Sequence, residues 1–168
     1  HIETQVRPFL FADAGFDAAL YAGTPEQVAN WPGTQALWLL QEDVAPVCSP
    51  ALLPGGRPLA PEALAELPLL QQTTRPLAWR QWFESMGVHA PQHALDGPRY
   101  ELFSMSAVAA AHGLGVALVP LMLIEPERAR GELVPACDRP PRGGRGYYFV
   151  TPAQSQPPVV AAFASWLQ

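Results

Sequence analysis

Short apolar runs broken by proline and glycine recur along the whole chain. Ile2, Thr4 and Val6 alternate with polar neighbours, the period of a strand. Asp17-Ala-Ala-Leu-Tyr21 reads as a buried strand ended by Ala22-Gly23, and Pro25 to Pro32 as a loop. The runs Ala-Leu-Trp-Leu-Leu (36–40) and Val-Ala-Pro-Val-Cys (44–48) predict two consecutive strands separated by Gln41-Glu42-Asp43. Pro54-Gly55-Gly56 predicts a turn. Pro61 opens a short helix, where its missing N–H costs nothing. A strand is expected over Leu67–Gln71, then a helix in which Trp79, Trp82 and Phe83 share one face at i, i+3 and i+4. An alanine-rich helix follows Ser104, which reads as its N-cap, and Gly113 supplies the left-handed residue that ends it. Strands are expected at Val116–Val119, around Leu133-Val134 and at Tyr147–Thr151, with a helical segment over 121–130. A last helix, Pro158–Leu167, places Val159, Phe163, Trp166 and Leu167 on one side. Helices alternating with short, fully apolar strands predict an α/β fold with mostly parallel sheets.

With 168 residues, the chain suits one compact domain or two small lobes sharing a discontinuous chain. Hydrophobic residues make up 49% and charged residues only 15%, enough for a core; the 20 prolines and 13 glycines are interleaved with apolar runs, which argues against disorder. A net charge of −5 with scattered arginines does not make a surface for a nucleic-acid backbone. No apolar run is long enough to span a membrane. The opening HIETQVRPF has no signal-peptide pattern, so a cytoplasmic location is expected. Cys48 and Cys137 fit no metal spacing and are expected as reduced thiols.

Candidate chemistry concentrates at two helix starts. Thr73, Thr74 and Arg75 lie between a strand and a helix; hydroxyls and a guanidinium beside free helix N–H groups suit a carboxylate, and the same residues suit a plain turn and cap. Ser104, flanked by Phe103 and Met105, caps the next helix and could also offer N–H groups to a ligand, while Phe103 and Met105 fit apolar contacts or the core equally. Gly113-Leu-Gly115 lacks the third glycine of a dinucleotide loop and ends a helix instead of opening one. Arg142-Gly-Gly-Arg145-Gly146 reads as a surface connection. His89 and His93 are separated by Pro91, which argues against a metal site, and His112 suits a helix C-terminus. Neither G-x-S-x-G, H-E-x-x-H nor C-x-x-C occurs.

Five segments taken in order resemble one family. They are GPRYELFSMSAVAAAHGLGVALVP (97–120), VAPVCSPALL (44–53), GGRPLAPEALAELPLLQQTTRPLAWRQW (55–82), GELVPACDRPPRGGRGYYFV (131–150) and VVAAFASWLQ (159–168). Together they resemble the effector-binding domain of LysR-type transcriptional regulators, in the branch of the glycine-cleavage activators, to which the loop Asn30-Trp31-Pro32-Gly33-Thr34 is also similar. The resemblance implies an α/β, two-lobed periplasmic-binding-protein-like (type 2) fold. Residues 1–44 and 149–168 would form one lobe and 45–148 the other, with the chain crossing near Asp43–Val47 and Tyr147–Val150. Relatives begin this domain with a further strand and helix and carry an N-terminal helix-turn-helix, so the chain is expected to be an N-terminally truncated piece of a bacterial regulator.

The resemblance further implies a sensor without enzymatic activity or cofactor. It would bind a small-molecule effector between the lobes, at Thr73, Thr74, Arg75, Phe103, Ser104 and Met105 on one side and Tyr21 and Gly23 on the other. The donors offered suit a small anion or carboxylate. Partners implied are a second or further copies of the chain, as homodimer or homotetramer, and DNA only through the N-terminal domain, with no membrane. A solute-binding protein for transport shares this fold, and a small α/β hydrolase is a third reading. From charge alone, a gel shift with this chain at physiological salt is expected to show no sequence-selective complex with duplex DNA.

Overall fold

The computed structural model describes residues 1–7, 9–140, 143–154 and 157–167. In chain order the elements are α1 (Phe11–Ala14), β1 (Ala19–Gly23), α2 (Pro25–Ala29), β2 (Thr34–Gln41), β3 (Val44–Cys48), α3 (Pro61–Leu64), β4 (Leu69–Gln72), α4 (Ala78–Ser85), β5 (Arg99–Tyr100), α5 (Phe103–Ala111), β6 (Val116–Pro120), α6 (Glu125–Ala129), β7 (Val134–Pro135), β8 (Gly146–Pro152) and α7 (Pro158–Trp166), with short 3₁₀ turns between. They form two compact units, His1–Glu42 with Gly143–Gln168, and Asp43–Arg142. Strand pairing sets these boundaries. β3 pairs wholly with β6 and β7, and β8 pairs wholly with β1 and β2, so each strand stays in one unit. The chain therefore changes unit before these strands, at 42–43 and 142–143, and not inside them.

In the first unit β8 is the centre of a three-stranded antiparallel sheet, β1-β8-β2, with Tyr148 opposite both Tyr21 and Trp38. The β1 strand is half-exposed and not buried, because one of its faces carries Leu20 to solvent. The segment expected as a loop from Pro25 contains α2. Thr24 accepts from the Gln27 N–H at 3.2 Å while the Gln27 side chain receives the Thr24 N–H at 3.0 Å, a capping box with proline in the first turn. Phe9, Phe11 and Tyr21 pack around Trp31 at ring separations of 5.1–5.4 Å, over the buried Val28 and Val150. Residues 1–7 form no strand. Three alternating residues bury nothing without a neighbour, and Ile2 is 95% exposed. In α7 the buried residue is Val160; the face expected to pack inward is exposed at Val159 and at Trp166, which is 76% exposed and stacks on Phe163.

The second unit has a five-stranded mixed sheet, β5-β4-β6-β3-β7. β5, β4 and β6 are parallel, whereas β3 runs antiparallel to β6 and β7, so the expectation of mostly parallel sheets holds only for one half. Alternate residues feed two cores. Cys48, Leu69, Val116 and Leu118 meet Leu64, Trp79, Trp82 and Phe83 on one face. Val47, Leu70, Ala117 and Val119 meet Ala107, Ala109 and Ala110 of α5 on the other. Burying each large side chain of α4 stabilises the unit by about 1.5–3 kcal/mol. The one polar atom of Trp79 is satisfied, its Nε1–H donating to the Leu70 carbonyl at 2.8 Å.

α5 ends as its sequence predicts. Gly113, at φ 77°, follows the C-cap His112, and the Gly113 and Leu114 N–H groups donate to the carbonyls of Ala110 and Ala109 at 3.0 and 3.1 Å, the paired bonds of a Schellman motif. A second glycine works by close approach, since a Cβ on Gly97 would run into the Leu69 carbonyl of β4. Gly113→Ala is expected to destabilise by about 1 kcal/mol, or about 2–4 °C in Tm. Gly97→Ala is expected to cost more, about 1–3 kcal/mol, because backbone must move. Thermal unfolding followed by circular dichroism checks both the size and the order.

Candidate functional site

β4 and β5 run parallel with Gln72 opposite Tyr100, so their carboxyl ends lie side by side. The register is extended by the Thr73 N–H, which donates to the Tyr100 carbonyl at 2.8 Å. From these ends the chain leaves through two connections, Thr73–Leu77 into α4 and Glu101-Leu102 into α5. Thr73, Thr74 and Arg75 are thereby brought together with Phe103, Ser104 and Met105. Thr73 and Thr74 are exposed; Arg75 is half-buried, its guanidinium 4.8 Å from the centre of the Phe103 ring, a cation–π contact. Phe103 packs partly against the core, and Met105 is 51% exposed.

The role of Ser104 differs from the expected one. The N-cap of α5 is Leu102, no side chain caps the helix, and Ser104 is its second residue, exposed. The buried serine is Ser106, whose hydroxyl donates to the Phe103 carbonyl at 3.0 Å. Met105 is the first residue of the helix whose N–H reaches a backbone carbonyl, that of Leu102, at 3.1 Å. The N–H groups of Phe103 and Ser104 therefore stand at the positive end of a nine-residue helix.

Gln72 carries a signal that strand patterning does not reveal. It is only 7% exposed, its Nε2 donates to the Glu101 carbonyl at 2.5 Å and lies 3.4 Å from the Thr74 hydroxyl, and its Oε1 is buried without a hydrogen-bond partner. The preceding Gln71 is different, its Nε2 held by the carbonyls of Leu69 and Ala94, both at 3.0 Å.

Tyr21 and Gly23 belong to the first unit, at the end of β1. A Cβ on Gly23 would strike the Tyr21 ring, which in turn packs on Trp31. This strand end is held by Arg145, whose guanidinium donates to the Ala22 carbonyl at 2.6 Å, to Gln27 Oε1 at 3.2 Å and to the fully buried Glu42 carboxylate at 3.1 Å. The glycine–arginine segment is thus more than the surface connection expected of it, although Arg142 lies outside the described residues.

Other reactive groups are occupied or quiet. His93 Nε2 lies 2.9 Å from the Ala65 carbonyl and His112 Nδ1 2.9 Å from the Val108 carbonyl. Among the described residues no group of three or more His, Cys, Asp or Glu side chains could hold a metal ion, and no helix is long and apolar enough to cross a membrane. A hollow of about 370 Å³ bordered by Arg80, Glu84, His89 and Gln92 contains none of the expected site residues.

Two α/β units, one with parallel strand ends that turn into helix starts, are the architecture of a ligand-binding domain. Residues 6–168 match the LysR substrate binding domain family. The chain is 33% identical to the glycine cleavage system transcriptional activator of Escherichia coli over 153 residues, 90% of this chain and 48% of that protein. It is 32% identical to the HTH-type transcriptional activator AmpR of Rhodobacter capsulatus over 154 residues, 91% of this chain and 50% of that protein. The AmpR effector binding domain from Citrobacter freundii superposes with a TM-score of 0.83 at 23% identity, covering 99% of this chain and 80% of that one. The chain belongs to the LysR substrate-binding domain family, and its fold is the two-lobed, type 2 periplasmic-binding-protein-like fold. It spans about half the length of the curated relatives it matches, which are transcriptional regulators.

Both cysteines are free and buried. Burial pushes the Cys48 thiol from 9.0 up to about 11, and burial likewise raises Cys137. Thiolate chemistry at neutral pH is thereby disfavoured. For Cys48 the neutral form is favoured in the folded state, so its stabilising contribution is intact below pH 9 and is lost as pH rises from 9 to about 11, where only the unfolded thiol ionises readily. The loss is expected to reach roughly 2–3 kcal/mol and to be smaller in Cys48→Ala, as read from urea unfolding across that range.

Proposed function

We propose that this chain is the effector-sensing domain of a LysR-type transcription regulator and that its effector is a small carboxylate or related anion. The observation that carries the reading is the register of β4 with β5, which sets the Thr73–Arg75 turn beside the uncapped start of α5. Two hydroxyls, a guanidinium and helix N–H groups then offer donors and positive potential, the equipment for an anion. Phe103 and Met105 supply apolar contact. In the whole regulator, effector binding would favour one arrangement of the lobes through unequal affinity for the alternatives, and so change transcription through a DNA-binding domain outside this chain. Self-association, as homodimer or homotetramer, is part of the proposal. The exposed Leu102 and Val108 of α5, with Met122 and Leu123, support it as an apolar surface.

The test compares small carboxylates with the uncharged amides of the same skeletons. Carboxylates are expected to raise Tm and the amides to leave it unchanged. Thr73→Ala and Ser104→Ala are each expected to weaken carboxylate binding by about 0.5–1.5 kcal/mol in titration calorimetry. Ser104 caps nothing, so its replacement should leave stability intact. Unchanged affinity in both variants would assign these residues to the turn and the helix start alone.

A further inference from the structure

We infer that the hollow of about 370 Å³ beside α4 is a second ligand site, separate from the effector site proposed above, and that it takes an α-amino acid with an apolar side chain. Its size falls at the small end of the roughly 300–1,000 Å³ of small-molecule sites. One wall is α4, which buries Trp79, Trp82 and Phe83 and leaves Arg80 and Glu84 exposed on another face. The other wall is the connection that follows. There Gly87, at φ 74°, turns the chain, and the Val88 N–H donates back to the Phe83 carbonyl at 3.0 Å.

The shape of the hollow belongs to the fold and not to the side chains on its rim. Pro91 opens a 3₁₀ turn over Gln92–Leu95, which is closed by the Ala94 N–H on the Pro91 carbonyl at 2.9 Å. The buried Gln71 holds the Ala94 carbonyl with its Nε2 at 3.0 Å, and His93 Nε2 lies 2.9 Å from the Ala65 carbonyl. Both walls are therefore fixed to the core before a ligand arrives, which lowers the ordering cost of binding. Pro91, Ala94 and Leu95 give the hollow an apolar lining.

The charges identify the ligand. Arg80 and Glu84 are four residues apart, neighbours on the surface of the helix. On α6 comparable pairs close, Arg128 on Glu125 at 3.1 Å and Arg130 on Glu127 at 3.6 Å. On α4 the pair stays open: among the described residues neither Arg80 nor Glu84 has a hydrogen bond or an ion pair. Arginine precedes glutamate there, the weaker order on a helix. A guanidinium and a carboxylate thus line one hollow without neutralising each other. A ligand with carboxylate and ammonium on one carbon satisfies both, Arg80 donating to its carboxylate and Glu84 accepting from its ammonium. Its side chain then lies on Pro91, Ala94 and Leu95. His89 and Gln92, on the other wall, offer hydrogen bonds to the same polar end. A plain carboxylate meets Glu84 as a like charge, and a plain amine meets Arg80 in the same way.

The test uses L-leucine, 4-methylpentanoate, which lacks the ammonium, and 3-methylbutylamine, which lacks the carboxylate, each titrated into the chain by calorimetry. Leucine is expected to bind about fivefold tighter than either, the scale of an exposed ion pair. Glu84→Gln is expected to bring leucine down to the affinity of 4-methylpentanoate, and Arg80→Met to that of 3-methylbutylamine. Both side chains are exposed, so both variants are expected to keep the Tm of the unsubstituted chain. Thr73→Ala, in the effector site, is expected to leave the preference for leucine intact. No binding of leucine, or equal affinity for the three probes, overturns the second site and leaves the effector site standing. A preference for leucine that survives both Glu84→Gln and Arg80→Met also overturns it, and its loss in Thr73→Ala assigns the amino acid to the effector site.

Discussion

β4 is buried along its whole length, and its sequence changes character halfway. Leu69 and Leu70 enter the two cores on opposite faces, as a strand covered on both sides requires. Gln71 and Gln72 continue the strand at the same depth, where an amide is tolerated only if it is bonded. Their partners are therefore part of the fold. Gln71 holds the carbonyls of Leu69 and Ala94, and Gln72 holds that of Glu101, so the connections on either side of β5 are tied to the strand they flank. The Gly97 approach to the Leu69 carbonyl depends on the same closeness. The close packing of the connections around β5 follows from two leucines giving way to two glutamines in a strand that never reaches solvent.

The first unit solves a similar problem with charge. A carboxylate as buried as Glu42 needs a cation with further hydrogen bonds, or its desolvation is uncompensated. Arg145 supplies both from 103 residues further along, and its other N–H groups reach the end of β1 and the side chain that caps α2. The ion pair brings together the last residue before the chain leaves this unit and a residue just after its return. Gly143 fits there because a Cβ would meet the Gln41 side chain.

Local patterns were legible where the physics is local. The face of Trp79, Trp82 and Phe83, the stop at Gly113 and the strands at 36–40, 44–48 and 116–119 follow from spacing that a neighbour of any kind would satisfy. Threonine, proline and glutamine at 24, 25 and 27 also spell a helix start, and that signal could have been read where a loop was expected. The alternation at Ile2, Thr4 and Val6 shows the reverse, a strand period with no partner strand among the described residues. Strand direction was not legible, since whether β3 runs with or against β6 depends on a pairing some 70 residues apart. That the Thr73–Arg75 turn meets the Phe103–Met105 helix start came with the family resemblance, because β5, only Arg99–Tyr100, has no apolar run to announce it. Gln72 and the Glu42–Arg145 pair were not legible, since neither glutamine in a strand nor a lone glutamate between two apolar runs announces what it will face.

The open start of α5 also bears on stability. A side-chain cap would add about 1 kcal/mol to a helix of this kind, and none is present in the helix that covers one core of the second unit. A leucine at that position leaves the first turn as the place where this helix frays most readily, so its order depends on what else satisfies those N–H groups. A substitution such as Leu102→Ser or Leu102→Asp, the obvious choice for making the domain more robust, would fill the vacancy permanently with an internal oxygen. The gain in stability would then leave the first-turn N–H groups less open to any other acceptor, an exchange of availability for durability placed at a single residue.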